Sequence, residues 1–306
     1  HEYYGTLQVG NFVSRGWNRP DYPYASDLGQ TAFSDSGAAY GILTKALRYT
    51  SRELYVGEGN LVLEATYDQG DTGFKRNKPQ LYELWALWAR GPLVVEAIVQ
   101  SARNGPPAAF AKAPFTGLTP FPDRDDSQLN GSSQGMFMLL GKYQIGTAYE
   151  FSGGLRFNRW SGSYAVPLTQ GALAQWNNPF NVDWGGVDAN GVPNPGYAAT
   201  STDFMLGLRK YINPKLVAYS GLTYLGKART DNPSERGQSN SALFVSLGAR
   251  YAVGGGLSLS GSLNAVAYGH KGQAPLSMPA HDAFSNTDSR IANRGNWMSV
   301  EANYQF

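Results

Sequence analysis

Arg48, Lys142, Arg156, Arg209 and Arg250 share one trait: each lies on the polar side of a stretch whose apolar residues recur at every second position. Glu64, Glu83, Glu96 and Glu301 do the same. Charges displayed on one face of extended segments act through their field, with basic groups facing acidic ones and sorting solutes by sign at a narrow point. Bond-making chemistry has less to work with. The chain has no cysteine, which removes disulfides, thiolate metal sites and cysteine nucleophiles. Its histidines, His1, His270 and His281, lie at an end or between patterned segments, so no strand carries a base for a serine nucleophile. No catalytic residue, no cofactor and no enzymatic activity are expected. Asp183, Asp188 and Asn190 surround Gly185-Gly186, but their spacing does not make a dedicated calcium loop.

A second charged group occupies residues 15–41: Arg15, Arg19, Asp21, Asp27 and Asp35, interleaved with Trp17, Tyr22, Tyr24 and Phe33. Such a mixture lets a connection pack against a wall while offering polar groups to water. An external loop of ordinary composition reads the same way. Trp17, Tyr22 and Tyr24 could also supply an aromatic surface for a sugar.

The elements that must position these residues are strands. Period-two alternation recurs in twelve segments: 4–14, 42–51, 60–69, 80–90, 93–103, 135–151, 154–164, 202–212, 215–226, 242–253, 257–268 and 296–306. Most are near the ~9–11 residues of a tilted membrane-spanning strand. The clearest is Leu257-Ser258-Leu259-Ser260-Gly261-Ser262-Leu263-Asn264, apolar on one face and hydroxyl or amide on the other. Gly91-Pro92, Ser152-Gly153, Asn213-Pro214 and Gly254-Gly255-Gly256 read as tight turns, alternating with long polar connections at 15–41, 104–134, 165–201, 227–241 and 269–295. The shorter connection at 70–79 falls on the long side. Short turns on one side and long loops on the other describe an antiparallel transmembrane β-barrel, all β.

Composition agrees. Only 16 % of the 306 residues are charged, against a usual ~25 %, while 13 % are aromatic and 37 are glycine. One face spent on lipid, tight turns and interfacial tyrosines account for all three. Tyr49, Tyr67, Tyr143, Tyr251 and Tyr304 fall on the apolar face, where they suit interfacial girdles or cross-strand packing. A net charge of +2 without a long basic run argues against nucleic acid as a partner. Mean hydropathy of −0.35 argues against a helical membrane protein.

Several pieces resemble Gram-negative general (diffusion) porins, particularly those of β-proteobacteria. They are Gly5-Thr6-Leu7-Gln8-Val9-Gly10 before the long connection, Ala46-Leu47-Arg48-Tyr49-Thr50-Ser51 after it, Gly154-Leu155-Arg156-Phe157, and the terminal Tyr304-Gln305-Phe306. The resemblance implies one outer-membrane barrel domain over residues 1–306, with 15–41 folded inward as its constriction loop. It implies passive diffusion of small hydrophilic solutes and ions, a homotrimer in the cell outer membrane, and contact with the lipid bilayer and lipopolysaccharide. The charged connection at 227–239 could meet lipopolysaccharide or divalent ions, or be a solvated turn. Phe306 and Tyr304 would be the signal read by the barrel-assembly machinery, and Arg48 the residue of the basic wall. Such porins have sixteen strands with the inward loop after the fifth, so the resemblance also implies a parent chain with four more strands at its start. A self-contained twelve-stranded substrate-specific channel and a structural barrel partnering another protein are the alternatives.

Overall fold

The computed structural model describes residues 3–25, 31–34, 36–39, 41–69, 80–103, 133–161, 198–230, 240–270, 275 and 292–305. Among these, fourteen strands build one antiparallel sheet. They are β1 (Thr6–Val13), β2 (Ile42–Thr50), β3 (Leu54–Val56), β4 (Gly59–Asp68), β5 (Gln80–Arg90), β6 (Leu93–Arg103) and β7 (Ser133–Ile145). The rest are β8 (Tyr149–Ser161), β9 (Ala198–Asn213), β10 (Leu216–Leu225), β11 (Arg229–Thr230), β12 (Ala242–Gly254), β13 (Leu257–Tyr268) and β14 (Arg294–Tyr304). Twelve of them pair strictly with their neighbours in chain order, from β1 to β14; the short β3 pairs only with β4, and β11 with β9. These twelve correspond one to one with the twelve segments read from alternation. No helix among the described residues is long and apolar enough to cross a membrane.

One expected turn is displaced. Ser152-Gly153 lies inside β8, with Ser152 opposite Lys142 and Gly153 opposite Gly141. The chain reverses instead at residues 146–148, where Gly146 takes φ +57°. Gly153 has ordinary strand geometry, so the glycine that matters is the one whose backbone needs the left-handed region. At Asn213-Pro214 the turn is an Asx turn: the Asn213 side-chain oxygen accepts from Lys215 N and Leu216 N at 2.9 and 3.0 Å.

The two faces of the sheet invert the pattern of a water-soluble protein. Glu64, Glu83, Glu96, Arg156, Asn158 and Asp203 are buried on one face. Leu7, Leu84, Leu206, Leu247, Leu263 and Val300 are exposed on the other. Tyr49, Tyr143, Tyr251 and Tyr304 share that outer face, and Tyr67 packs across strands on Tyr82 with ring centroids 5.0 Å apart.

The inner face is itself divided. On β12 and β13 it carries Ser246, Ser258, Ser260, Ser262 and Asn264, with Ala242, Phe244, Val266 and Tyr268 at one end packed with Ala32. From β5 to β9 it carries Trp85, Ile98, Met136, Met138, Leu140 and Met205, which bury against Tyr24, Phe33 and Ala39. Those last three belong to the connection between β1 and β2, so this connection covers the apolar side chains of β5 to β9. It contains a helix α1 (Arg15–Arg19), a π-helical turn (Pro20–Ala25) and a short helix α2 (Thr31–Ser34). Strand β7 is therefore apolar on both sides, Phe137 and Leu139 facing out and Met136, Met138 and Leu140 facing in. A strand covered on both faces loses its alternation.

Candidate functional site

The covering segment is held by two clusters of charge. The first begins where β1 ends. Ser14 caps α1 with its hydroxyl accepting from Trp17 N at 3.1 Å, which turns the chain inward. The Glu83 carboxylate, projecting from β5, accepts from the first two helical amides, Arg15 N and Gly16 N, each at 2.8 Å. An anion here meets donors that have no partner within the helix. The approach at Gly16 is close: a Cβ would meet the end of the Met136 side chain and lie 3.2 Å from the Gln100 amide nitrogen, so both side chains would have to shift. Gln100 in turn donates to Glu83 at 2.9 Å.

The helix then delivers its arginines to the wall. Arg15 grips Glu64 with two hydrogen bonds at 2.8 and 2.7 Å. Arg19 grips Glu96 in the same two-pronged manner. Such forks suit the planar guanidinium and make strong charge-assisted pairs. Glu96 also accepts from Tyr24 Oη at 3.0 Å and from Trp85 Nε1 at 2.7 Å. The Arg15 and Arg19 guanidiniums lie 4.6 and 5.7 Å from the Trp85 ring centroid. Arg48 completes the cluster from β2. It donates to Thr66 Oγ1 at 3.0 Å and Val13 O at 3.0 Å, and lies 3.2 Å from Glu64 and 3.9 Å from Glu83. The Glu64 hydrogen bond holds the Arg15 guanidinium above its ordinary range, against the cost of burial. Burial, then the Glu96 charge, pushes the Tyr24 hydroxyl upward, so it stays protonated as a donor.

The second cluster fastens the far end of the segment to β8 and β9. Arg156 is fully buried and donates to Asp203 at 3.1 and 2.8 Å, to the Phe33 and Ser36 carbonyls at 2.7 and 2.8 Å, and to Ser36 Oγ at 2.5 Å. Asn158 accepts from Ala38 N at 2.9 Å and donates to Asp203 at 2.7 Å. The chain approaches so closely that a Cβ on Gly37 would lie 2.5 Å from the Arg156 guanidinium carbon, and Gly37 takes φ +91°.

The residues expected from sequence thus separate into groups. Arg15, Arg19, Arg48, Glu64, Glu83 and Glu96 meet in one cluster, and Arg156 anchors another. Basic and acidic groups are in contact there rather than facing one another across a gap. Arg209 pairs with Glu150, which also lies 3.7 Å from Lys142, near the tight turn between β7 and β8. Arg250 and Glu301 lie in one row on the strands either side of β13, both in register with Ser260. Asp21 is exposed. Asp27, Asp35 and Phe306 lie outside the described residues, as does the side chain of Tyr22. Tyr24, considered for a sugar-binding surface, is buried and serves Glu96.

Sequence reasoning missed Asp203, Asn158, Glu150 and Trp85. A signal existed for three of them. Asp203 shares the parity of Arg209 on β9, and Glu150 and Asn158 that of Arg156 on β8, so the same phasing that turned the arginines inward turned these inward too.

Comparison with solved structures gives the wall its context. No protein-family model matches the chain, and no curated protein matches it. The anion-selective porin from Comamonas acidovorans superposes with a TM-score of 0.59 at 11 % identity, over 99 % of this chain and 75 % of that one. A loop-deletion form of OmpT, an outer membrane protein of Vibrio cholerae, gives 0.58 at 13 % identity, over 98 % and 76 %. The outer membrane channel DcaP of Acinetobacter baumannii gives 0.54 at 12 % identity, over 98 % and 71 %. With apolar side chains outward, polar ones inward and strands paired in chain order, the chain has the fold of an outer-membrane β-barrel.

Proposed function

We propose that the chain forms a water-filled channel in the outer membrane of a Gram-negative bacterium, of the general porin type, through which small hydrophilic solutes and ions diffuse passively. The observation that carries this reading is the division of the inner face. The inserted segment, the constriction of this channel, packs through Tyr24, Phe33 and Ala39 on apolar side chains of β5 to β9 and through Ala32 on Phe244, Val266 and Tyr268 at one end of β12 and β13, while the rest of the inner face of those two strands presents the hydroxyls and amides of Ser246, Ser258, Ser260, Ser262 and Asn264. Water and solutes pass along that polar part, beside the constriction. The charged groups of the two clusters are engaged in ion pairs and hydrogen bonds that position the segment, and no step of bond chemistry is assigned to them. A homotrimer is the proposed assembly, in keeping with a neighbour solved as a trimer, OmpT of Vibrio cholerae. The test is conductance in planar bilayers after refolding. Stepwise, ohmic current supports the reading; silence from protein whose barrel is folded overturns it.

A further inference from the structure

We propose that the inner wall carries a saccharide subsite at Trp297, on which a neutral sugar stacks as it passes the inserted segment. This deepens the channel reading by naming a class of solute, and it rests on that reading. Trp297 lies on β14 in register with Asn264 on β13, which is itself in register with Ser246 on β12. That row faces inward, so the indole stands among polar side chains, and Trp297 is 44 % exposed there. Trp85 also faces inward, but it is buried, with the Arg15 and Arg19 guanidiniums over its ring. The Trp297 ring is open to the lumen.

The rows of the sheet define what surrounds the ring. On one side of it lies the row of Phe244 and Val266, where Ala32 of the inserted segment packs. On the other side come Ser262 and Ser299, then Ser260 between Arg250 and Glu301. Successive rows on one face are about 7 Å apart along a strand. The edge of the constriction and a ladder of hydroxyls therefore meet at Trp297. Asn264 Nδ2 donates to Ser262 Oγ at 2.9 Å, which ties the amide of the ring's own row to that ladder. Serine hydroxyls and the asparagine amide both donate and accept, as the hydroxyls of a sugar do. The negative face of the indole attracts the polarised C–H groups on the flat side of a pyranose. A flat ring beside a few placed polar groups is what orients a small molecule in its site. Arg250 and Glu301, two rows away, are opposite in sign and share one row, so this stretch of wall favours a neutral solute.

The experiment titrates maltose against the ion current of the refolded channel in planar bilayers, with polyethylene glycol of equal size as the control. Maltose is expected to interrupt the current in brief events whose frequency saturates with concentration. The polymer should lower conductance only in proportion to the conductivity of the bulk solution. Trp297→Ala should weaken the apparent affinity for maltose by about tenfold, the scale of one aromatic stack with its buried area. Trp297→Phe, which keeps a smaller flat ring, should lose less. Should the alanine variant fail to fold, the unaltered channel and Trp297→Phe decide: the assignment requires saturable interruption in the first and a weaker affinity in the second. A folded, conducting channel that treats maltose like the polymer overturns the subsite and leaves the channel reading intact. Equal affinities in the unaltered channel and its Trp297 variants overturn the assignment to this ring. Absence of any conductance overturns the channel reading itself.

Discussion

Gly37 and Arg156 show how a few contacts decide the position of a whole connection. The Arg156 guanidinium is enclosed between Asp203, the Ser36 hydroxyl and two carbonyls of the inserted segment, with its central carbon 4.3 Å from the Phe33 ring centroid. A buried pair of this kind gains little over well-packed apolar residues, yet removing one partner strands the other, at a cost of about 3–5 kcal/mol. Its value is geometric, because with Asn158 it fixes where Phe33, Ser36 and Ala38 lie. Gly37→Ala tests this without removing a charge. The substitution adds a Cβ where φ is +91° and where the Arg156 guanidinium already stands. Backbone strain alone costs about 1–3 kcal/mol. Expected are a lower denaturation midpoint in lipid vesicles and faster tryptic cleavage after Arg15, which is gripped by Glu64 in the docked segment. Unchanged cleavage would mean that the far anchor does not hold the segment in place.

Among the elements, β7 and β13 make the sharpest contrast, since both have one face turned inward and only one of them looks amphipathic. On β13 the inward set is Ser258, Ser260, Ser262 and Asn264, and its alternation is plain in the sequence. On β7 the inward set is Met136, Met138 and Leu140, and the pattern dissolves into an apolar run. Much of the wall was legible because a lipid-facing side and a watery side write period two into the chain. What was not legible is which part of the inner face is covered, because that depends on contacts between residues far apart in sequence. The loss of alternation in β7 was the available signal. The turn at Gly146 was hidden for a similar reason, as glycines in the neighbouring strand compete with it for the same role. The site was legible as a set of inward charges and not as pairs, since parity gives the face and not the partner. Met138→Ala and Ser262→Ala separate the two kinds of inward position. The first opens a cavity beneath Tyr24 and Phe33 and should cost about 2–5 kcal/mol. The second, on the wetter half, should stay within about 0.5 kcal/mol. Denaturant unfolding of the vesicle-inserted protein measures both, and equal costs would contradict a divided interior.

At the scale of the whole molecule, polarity is turned inside out, and this orientation has a consequence that depends on depth. Leu206 lies at the middle of β9 on the outer face and is 59 % exposed. In a protein bathed by water, replacing so exposed a leucine by arginine would change stability by no more than about 0.5 kcal/mol. In hydrocarbon the same arginine must bring its charge to the middle of the layer, at about 2–4 kcal/mol. Tyr304, also on the outer face, is the last residue of β14, so an arginine there reaches the interface and should cost about 0–1 kcal/mol. Leu206→Arg and Tyr304→Arg therefore form a depth gauge. Reversible folding into phospholipid vesicles gives both free energies against the unaltered chain. A cost for Leu206→Arg well above that for Tyr304→Arg is expected, because the outer face is a lipid surface and its centre lies farthest from water. Two small and equal costs would mean that the exposed leucines, valines and phenylalanines of this face meet water, and the inversion would then need a protein partner to cover it.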